Sequence, residues 1–152
     1  MSARLLLGTC GLVAVAVACA SDGMLGPLKQ FAHAVASPAC GPTDGPAVWI
    51  YLTGTPVASL EPPAPYVRVA VWQPLERLPG RSWALNAGDT SAAAWYFGSA
   101  SDFEVGTTGR VTVDALAADS TIRGSADLRF PRFGRVRGEF RAAWLPRATL
   151  CG

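Results

Sequence analysis

Two segments near the C-terminus decide the fold: TIRGSADLRF at residues 121–130 and RVRGEFRAAW at residues 135–144. In both segments small or apolar residues occupy the even positions, and charged or polar residues occupy most of the odd ones. A β-strand produces this period of two by pointing successive side chains to opposite faces, whereas a helix would mix the two sets on every face. The two segments therefore predict a β-hairpin with one apolar and one charged side.

The hairpin also predicts individual side-chain positions. Phe140 shares the parity of the apolar set and is expected in the core, while Arg141 is expected in solvent. A turn at residues 131–133 would place Asp127 opposite Arg137, a favourable cross-strand pair. A slip of two residues would keep the same faces but place Asp127 opposite Glu139, so the first register is preferred.

The rest of the chain reads as further short strands separated by turns. Sixteen glycines and twelve prolines are spread through the 152 residues, which is typical of many strands joined by loops. The pattern predicts about eight strands and no helix, and therefore an antiparallel β-sandwich or a small β-barrel. The strands upstream of the hairpin are expected near residues 47–53, 66–73, 82–86, 92–97, 102–105 and 110–116.

Residues 1–18 have the pattern of a signal peptide. Arg4 supplies a positive charge, and an apolar stretch then runs from Leu5 to Ala18. A helix that crosses a bilayer needs about twenty apolar residues, so this segment predicts export rather than a spanning anchor.

The end of this segment resembles the lipobox of bacterial lipoprotein precursors. It reads Ala-Val-Ala-Cys at residues 16–19, with Ala16 where that motif usually has Leu. The resemblance implies that Cys19 is acylated and holds the mature protein in a cell-envelope membrane. Residues 18–20, Ala-Cys-Ala, also fit an ordinary signal peptidase site, which would release a soluble periplasmic or secreted protein.

After cleavage two cysteines remain in the globular region, Cys40 and Cys151. In an exported protein such a pair predicts a disulfide. Breakers at Gly23, Gly26, Pro27 and Pro38 suggest that residues 19–39 form a tether. The single β domain is then expected over residues 40–152.

Signals for catalysis are sparse. The only histidine, His33, lies in the predicted tether, where it is expected to be solvated rather than paired with a nucleophile. The cysteines are expected to bond to each other, so no metal site and no cofactor is predicted. The acidic side chains are scattered, and turn chemistry explains Asp114 with Asp119, and Asp102 with Glu104, better than weak Ca²⁺ binding does.

The charge distribution gives one candidate surface. From Arg123 onward the chain contains seven arginines and two acidic residues, a net charge of +5. Residues 19–122 contain five basic and nine acidic residues, a net charge of −4. The basic side of the hairpin either meets an anionic surface, such as lipid headgroups, an envelope glycan or an envelope protein, or is the solvated face of a sheet whose arginines protect its edge from aggregation. The chain has no nucleic-acid motif. The candidate contacts are Arg123, Arg129, Arg135, Arg137 and Arg141.

The aromatic residues give a second candidate surface. Trp49 and Tyr51 alternate with aliphatic residues in one strand, and Trp72 alternates with valines in the next. If the aliphatic residues form the core, these three aromatic side chains lie on the opposite face. Exposed, they would form a platform for a sugar or a peptide; covered by loops or by a second layer, they would be structural. Trp83, Trp95, Tyr96 and Phe97 are interpreted as core.

The sequence therefore predicts an exported, lipid-anchored envelope protein whose β domain is a non-catalytic binding or structural module. The hairpin with Gly124 and Gly138 is similar, in a general way, to those of other bacterial envelope lipoproteins. An alternative is a β-barrel that carries a small apolar ligand, and an enzyme is a third possibility. A large internal cavity would favour the carrier.

We expect Cys19 to be the acylated first residue of the mature chain. Mass spectrometry of the N-terminus of the mature protein, expressed in a host that processes lipoproteins, measures this directly. An N-terminal peptide that begins at Ser21 and has no lipid would contradict it. More than one acyl chain is expected, because a single chain gives only marginal and reversible membrane binding.

Overall fold

The computed structural model describes residues 31–57, 59–60, 62–85 and 90–151. The predicted signal peptide, Cys19 and the first part of the predicted tether lie outside these residues. The described residues form a short 3₁₀ helix at Leu75–Arg77, no α-helix, and nine β-strands. The strands are β1 (His33–Cys40), β2 (Pro46–Thr53), β3 (Tyr66–Val71), β4 (Arg81–Leu85), β5 (Ala92–Phe97), β6 (Phe103–Val105), β7 (Thr108–Leu116), β8 (Thr121–Phe130) and β9 (Gly134–Trp144).

The nine strands form one sheet in the order β4-β7-β8-β9-β1-β2-β3-β5-β6. Every neighbouring pair is antiparallel except β1 and β9, which run parallel. The sheet curls into a half-barrel. The predicted all-β class is confirmed, and the structure is the barrel-like form of the two predicted architectures.

The core fills the inside of the curl. Alternate residues of each strand point inward, as the period of two requires. In β2 and β3 these are the aliphatic sets, and in β8 and β9 they are the even positions of the hairpin. The large side chains with less than about 2 % exposure include Ile50, Leu52, Val67, Val69, Val71, Tyr96, Ile122, Leu128 and Phe130.

The hairpin has the preferred register. Asp127 lies opposite Arg137, and Ser125 lies opposite Glu139. Phe140 is 5 % exposed and belongs to the core, while Arg141 is exposed, so both predicted orientations are confirmed. Gly124 lies opposite Phe140, and a Cβ at Gly124 would approach the Phe140 ring to 2.7 Å. The missing side chain therefore provides the space that the aromatic ring occupies.

The predicted boundary between tether and domain is wrong for residues 33–39. These residues form most of β1, which pairs with β2 from His33 to Cys40 and with β9 from Ala34 to Ala36. The pairing with β9 ends two residues before Pro38, which has no N–H to donate. A segment rich in small residues suits this central place, because Ala36 and Ser37 are completely buried.

The predicted disulfide between Cys40 and Cys151 is present, with the two Cα atoms 5.5 Å apart. Cys40 ends β1, and the C-terminal segment reaches it by running beside that strand. Leu145 N–H donates to the carbonyl of Ala36 at 2.7 Å, which extends the β9 side of the junction. The bond closes a loop with a sequence separation of 111 residues, for which the chain-entropy model gives about 4–5 kcal/mol.

One end of the curled sheet contacts the β8–β9 turn. The carboxylate of Glu104, in edge strand β6, accepts hydrogen bonds from the backbone N–H groups of Arg132 (2.9 Å) and Phe133 (3.1 Å) in the β8–β9 turn. The Phe133 ring stacks on Tyr96 with centroids 4.0 Å apart. Side chains thus connect β5 and β6 to the turn of the β8–β9 hairpin, whose strands belong to the other half of the strand order.

We expect Phe140→Ala to destabilise the domain by about 3–5 kcal/mol, because it removes a buried ring and leaves a cavity. Arg141→Ala is the matched control one residue away, and its exposed side chain predicts a change within about 0.5 kcal/mol. Urea unfolding followed by tryptophan fluorescence measures both. Equal destabilisation by the two variants would contradict the assigned faces.

Candidate functional site

The outer side of the half-barrel is divided into two surfaces of different chemistry. Since the core takes the inward side chains, the outward side chains that are exposed or half-buried are available for contacts; Tyr51 is outward but buried. We call the outward side of β7, β8 and β9 the basic face; its arginines are Arg110, Arg123, Arg129, Arg135, Arg137 and Arg141. We call the outward side of β2, β3, β5 and β6 the aromatic face; its members are Trp49, Tyr51, Tyr66, Arg68, Trp95, Phe97, Phe103 and Val105.

All five arginines predicted for the basic face are exposed. Arg110 joins them because β7 pairs with β8 and places Arg110 opposite Asp127. The sequence pattern could have included Arg110, since Val111 and Val113 on either side of Thr112 are core residues. The prediction omitted Arg110, because along the chain the excess of basic residues begins only at Arg123.

The basic face places like charges directly against each other. In the β8–β9 register Arg123 lies opposite Arg141, and Arg129 lies opposite Arg135. Arg135 extends diagonally to Asp127 instead, and its Nε–H donates a hydrogen bond to the Asp127 carboxylate at 2.7 Å. Like charges in directly opposed positions destabilise a sheet, so this arrangement lowers the stability of the hairpin.

The remaining arginines of this face have no ion pair within the described residues: Arg110, Arg123, Arg129, Arg137 and Arg141. Protection of a sheet edge does not explain them. The edges of the sheet are β4 and β6, whereas β7, β8 and β9 each have a neighbour on both sides. The alternative to contact with an anion is then that these arginines occupy the solvated face of the sheet.

The chain enters the domain beside the basic face. Phe31 and His33 line a surface depression of about 650 Å³ together with Arg123, Glu139 and Arg141. The Phe31 ring packs against Gly138, where a Cβ would lie 3.1 Å from the ring. His33, expected in a solvated tether, instead begins β1, and it is exposed there.

Of the three predicted aromatic contacts, two belong to one cluster. Trp49 and Tyr51 both point outward from β2, with ring centroids 6.3 Å apart; Trp49 is half-buried and Tyr51 is 4 % exposed. Trp72 is half-buried at the end of β3, where it contacts Gly41 of the β1–β2 turn. Trp72 is therefore not brought into the cluster.

Trp95 and Phe97 were interpreted as core, and that interpretation is wrong. In β5 the inward positions are Ala92, Ala94 and Tyr96, which are buried, and both Trp95 and Phe97 point outward and are half-buried. Phe97 lies between Tyr66 and Phe103 in a row of stacked rings, with centroid distances of 4.6 and 5.8 Å. The sequence of β5 alternates poorly because small apolar residues fill the core side.

Arg68 lies at the centre of the aromatic face and was not predicted as a site residue. Its guanidinium carbon is 4.5 Å from the centroid of Trp49, 4.7 Å from that of Trp95 and 5.1 Å from that of Phe97. The β3 register places Arg68 between Tyr51 and Trp95. The alternation of Arg68 with valines was the available signal, since it placed a charge on the face of the aromatics.

Three of the four acidic side chains considered for Ca²⁺ have structural partners. Asp102 and Glu104 both pair with Arg132, at 2.9 and 3.5 Å. Asp119 accepts the backbone N–H of Thr121 at 3.0 Å, as turn chemistry predicts. Within the described ranges no three His, Cys, Asp or Glu side chains are grouped to hold a metal ion. In the same part of the chain no helix is both long and apolar enough to span a bilayer.

No family model matches this chain, and no curated protein and no solved structure matches it either. The function therefore has to be inferred from the two outer surfaces.

The ion pair on the basic face predicts a pH dependence. The hydrogen bonds from Arg135, with the charges of Arg135, Arg137 and Arg129, hold the pKa of the Asp127 carboxyl below its ordinary value. Because the pKa is lower in the folded state, the pair stabilises the fold above the unfolded pKa of about 3.9. That contribution is lost as the pH falls through the folded pKa.

We therefore expect Asp127→Asn to lower the free energy of unfolding at pH 7 by less than about 1 kcal/mol, the range for an exposed pair. At pH 2 the difference between the variant and the native chain should be smaller, because the Asp127 carboxyl takes up a proton as the pH falls. Glu139→Gln is the control, because Glu139 has no ion pair within the described residues, and its change should be smaller at pH 7. Urea unfolding at both pH values measures the difference; a deficit for Asp127→Asn that persists undiminished at pH 2 would contradict the assignment.

Proposed function

We propose that this chain is an exported, lipid-anchored protein of a bacterial cell envelope and that its domain is a non-catalytic binding module. In this proposal the basic face contacts anionic lipid headgroups. The observation that supports it is the set of unpaired arginines on β7, β8 and β9, none of which is an edge strand of the sheet. Such an arrangement opposes like charges and does not protect an edge, so contact with an external anion accounts for it better than stability does.

The electrostatics of a membrane suit this surface. A lysine or arginine near an anionic bilayer contributes about 1 kcal/mol to binding. The like charges of Arg123 and Arg141, which oppose each other in the free protein, would both be neutralised by headgroup phosphates. Arginine is well matched to phosphate, because its planar guanidinium donates two parallel hydrogen bonds.

The point where the chain enters the domain is consistent with this orientation. Acylation of Cys19 would leave twelve Cα–Cα steps before Phe31, which at full extension span about 40 Å. Phe31 lies beside Arg123 and Arg141 in the same depression. A short lipid tether that enters at the basic face would keep that face near the membrane and raise its effective concentration there.

The alternative of an apolar-ligand carrier has less support. The inside of the curl is occupied by core side chains, among them Trp83, Tyr96, Phe130 and Phe140. The lining of the depression of about 650 Å³ is mixed: charged residues, including Asp114, Arg123 and Glu139, lie beside apolar ones such as Phe31. An apolar ligand would find its best contacts elsewhere.

Sedimentation with lipid vesicles tests the proposed contact. A shortened chain that begins at Ser21, and therefore has no lipid anchor, should bind vesicles that contain phosphatidylglycerol. It should not bind vesicles of pure phosphatidylcholine. The triple variant Arg123→Gln, Arg137→Gln, Arg141→Gln should bind the anionic vesicles about 100-fold more weakly, because three contributions of about 1 kcal/mol are lost. Binding by the native chain should also fall as salt rises.

The matched control removes the same number of charges from elsewhere: Arg77→Gln, Arg81→Gln, Arg147→Gln. All three side chains are exposed and lie off the basic face. This control should weaken binding by less than about tenfold. Equal losses of affinity in the two triple variants would show that net charge alone explains vesicle binding. That result would reject the basic face as the contact surface.

A further inference from the structure

We infer that the aromatic face binds a carboxylated sugar unit of an acidic glycan, with Arg68 receiving the carboxylate. This site is separate from the basic face. The two surfaces lie on opposite sides of β1 in the strand order, and the curl of the sheet turns them in different directions.

The first reason is an unpaired cation in an apolar setting. Arg68 is half-buried, and it makes no ion pair and no hydrogen bond within the described residues. Its Nε–H is buried, and none of the described residues offers it an acceptor. Arginine side chains that lose water contact are usually paired, because removing a charge from water is costly. An anionic ligand would supply the missing partner.

The surrounding rings determine which part of Arg68 remains available. The ring centroids of Trp49 and Trp95 lie 4.5 and 4.7 Å from the guanidinium carbon, so these two rings pack directly against the guanidinium group. The terminal Nη groups are not among the buried unpartnered atoms and have no acceptor within the described residues. They therefore present donors to solvent, in the planar arrangement that binds a carboxylate through two parallel hydrogen bonds.

The register of the strands builds this arrangement. Trp49, Ala70 and Ala93 form one cross-strand row, and Arg68 and Trp95 belong to the next. Two alanines thus stand beside Trp49 where larger residues would crowd the indole rings. The next row, formed by Tyr66, Phe97 and Phe103, extends the apolar surface to the edge of the sheet, where Phe103 is 55 % exposed.

A sugar fits this surface better than an extended peptide does. The C–H face of a pyranose stacks on aromatic rings, and a carboxylate at its rim could reach a central guanidinium. A peptide that added to edge strand β6 would pair with its backbone. Arg68 lies on β3, two strand spacings or about 10 Å from β6, so edge pairing would leave it unused.

The indole N–H signals of the protein in ¹H–¹⁵N NMR spectra provide a direct test, with trigalacturonic acid as the probe. The trimethyl ester of the same sugar is the matched ligand, because it keeps the rings and removes the charges. The acid should shift the signals of Trp49 and Trp95 and leave those of Trp83 and Trp144 in place. The ester should bind at least tenfold more weakly.

Protein variants separate the contribution of Arg68 from that of the rest of the chain. Arg68→Gln should weaken binding of the acid at least tenfold, and Arg68→Lys should weaken it several-fold, because lysine keeps the charge without the planar fork. Arg77→Gln, an exposed arginine of the 3₁₀ helix, should bind like the native chain. The triple variant of the basic face should also keep the Trp49 and Trp95 shifts, which makes this test independent of vesicle binding.

Several outcomes would overturn the inference. Equal binding of the acid and its ester would show that the carboxylate is not recognised. A folded Arg68→Gln variant with native affinity would assign Arg68 a purely structural role among the rings. Shifts produced by an acidic peptide but not by the sugar would replace the glycan with a protein partner. If Arg68→Gln fails to fold, the comparison of acid and ester on the native chain still decides the question.

Discussion

The structure depends on the pairing of β1 with strands from both halves of the chain. β1 pairs with β2 along its full length and with β9 at only three positions, Ala34 to Ala36. Without it, β4-β7-β8-β9 and β2-β3-β5-β6 would be two four-stranded sheets without a shared strand. The disulfide from Cys40 to Cys151 fixes the C-terminal segment beside the same strand. A short parallel junction is thus reinforced by a covalent bond, which limits how far the two halves can separate.

This junction is also where sequence reasoning failed, and the cause is physical. The strands of the hairpin could be predicted because one side faces solvent and the other the core, so that Phe140 and Arg141 alternate in character. β1 has no such contrast: Ala36 and Ser37 point to opposite sides, and both are completely buried. Its small residues and Pro38 resemble a linker. Its pairing with β2 along its full length and with residues more than 100 positions away, such as Ala142, makes it a strand.

The candidate surfaces were predictable to a similar degree. Alternation placed Trp49 and Tyr51 outward and placed the hairpin arginines in solvent. It could not place Trp95 or Phe97, because β5 points Ala92, Ala94 and Tyr96 into the core and these two rings outward. A hydrophobicity pattern assumes that the larger apolar residue is the buried one. At Ala92 and Ala94 the reverse holds, since bulky side chains from β8, such as Phe130, already occupy the interior.

The two outer surfaces show how differently one residue type behaves in two environments. On the basic face the arginines have water around them, so like charges such as Arg123 and Arg141 are tolerated at modest cost, and contacts there should respond strongly to salt. On the aromatic face Arg68 is half-buried, and its guanidinium lies against Trp49 and Trp95. A charge in such a setting interacts more strongly with an anion, because the local dielectric is lower. The basic face is therefore suited to a broad and diffuse anionic surface. The aromatic face is suited to one carboxylate of defined shape, and this difference follows from burial alone, because both surfaces use the same guanidinium group.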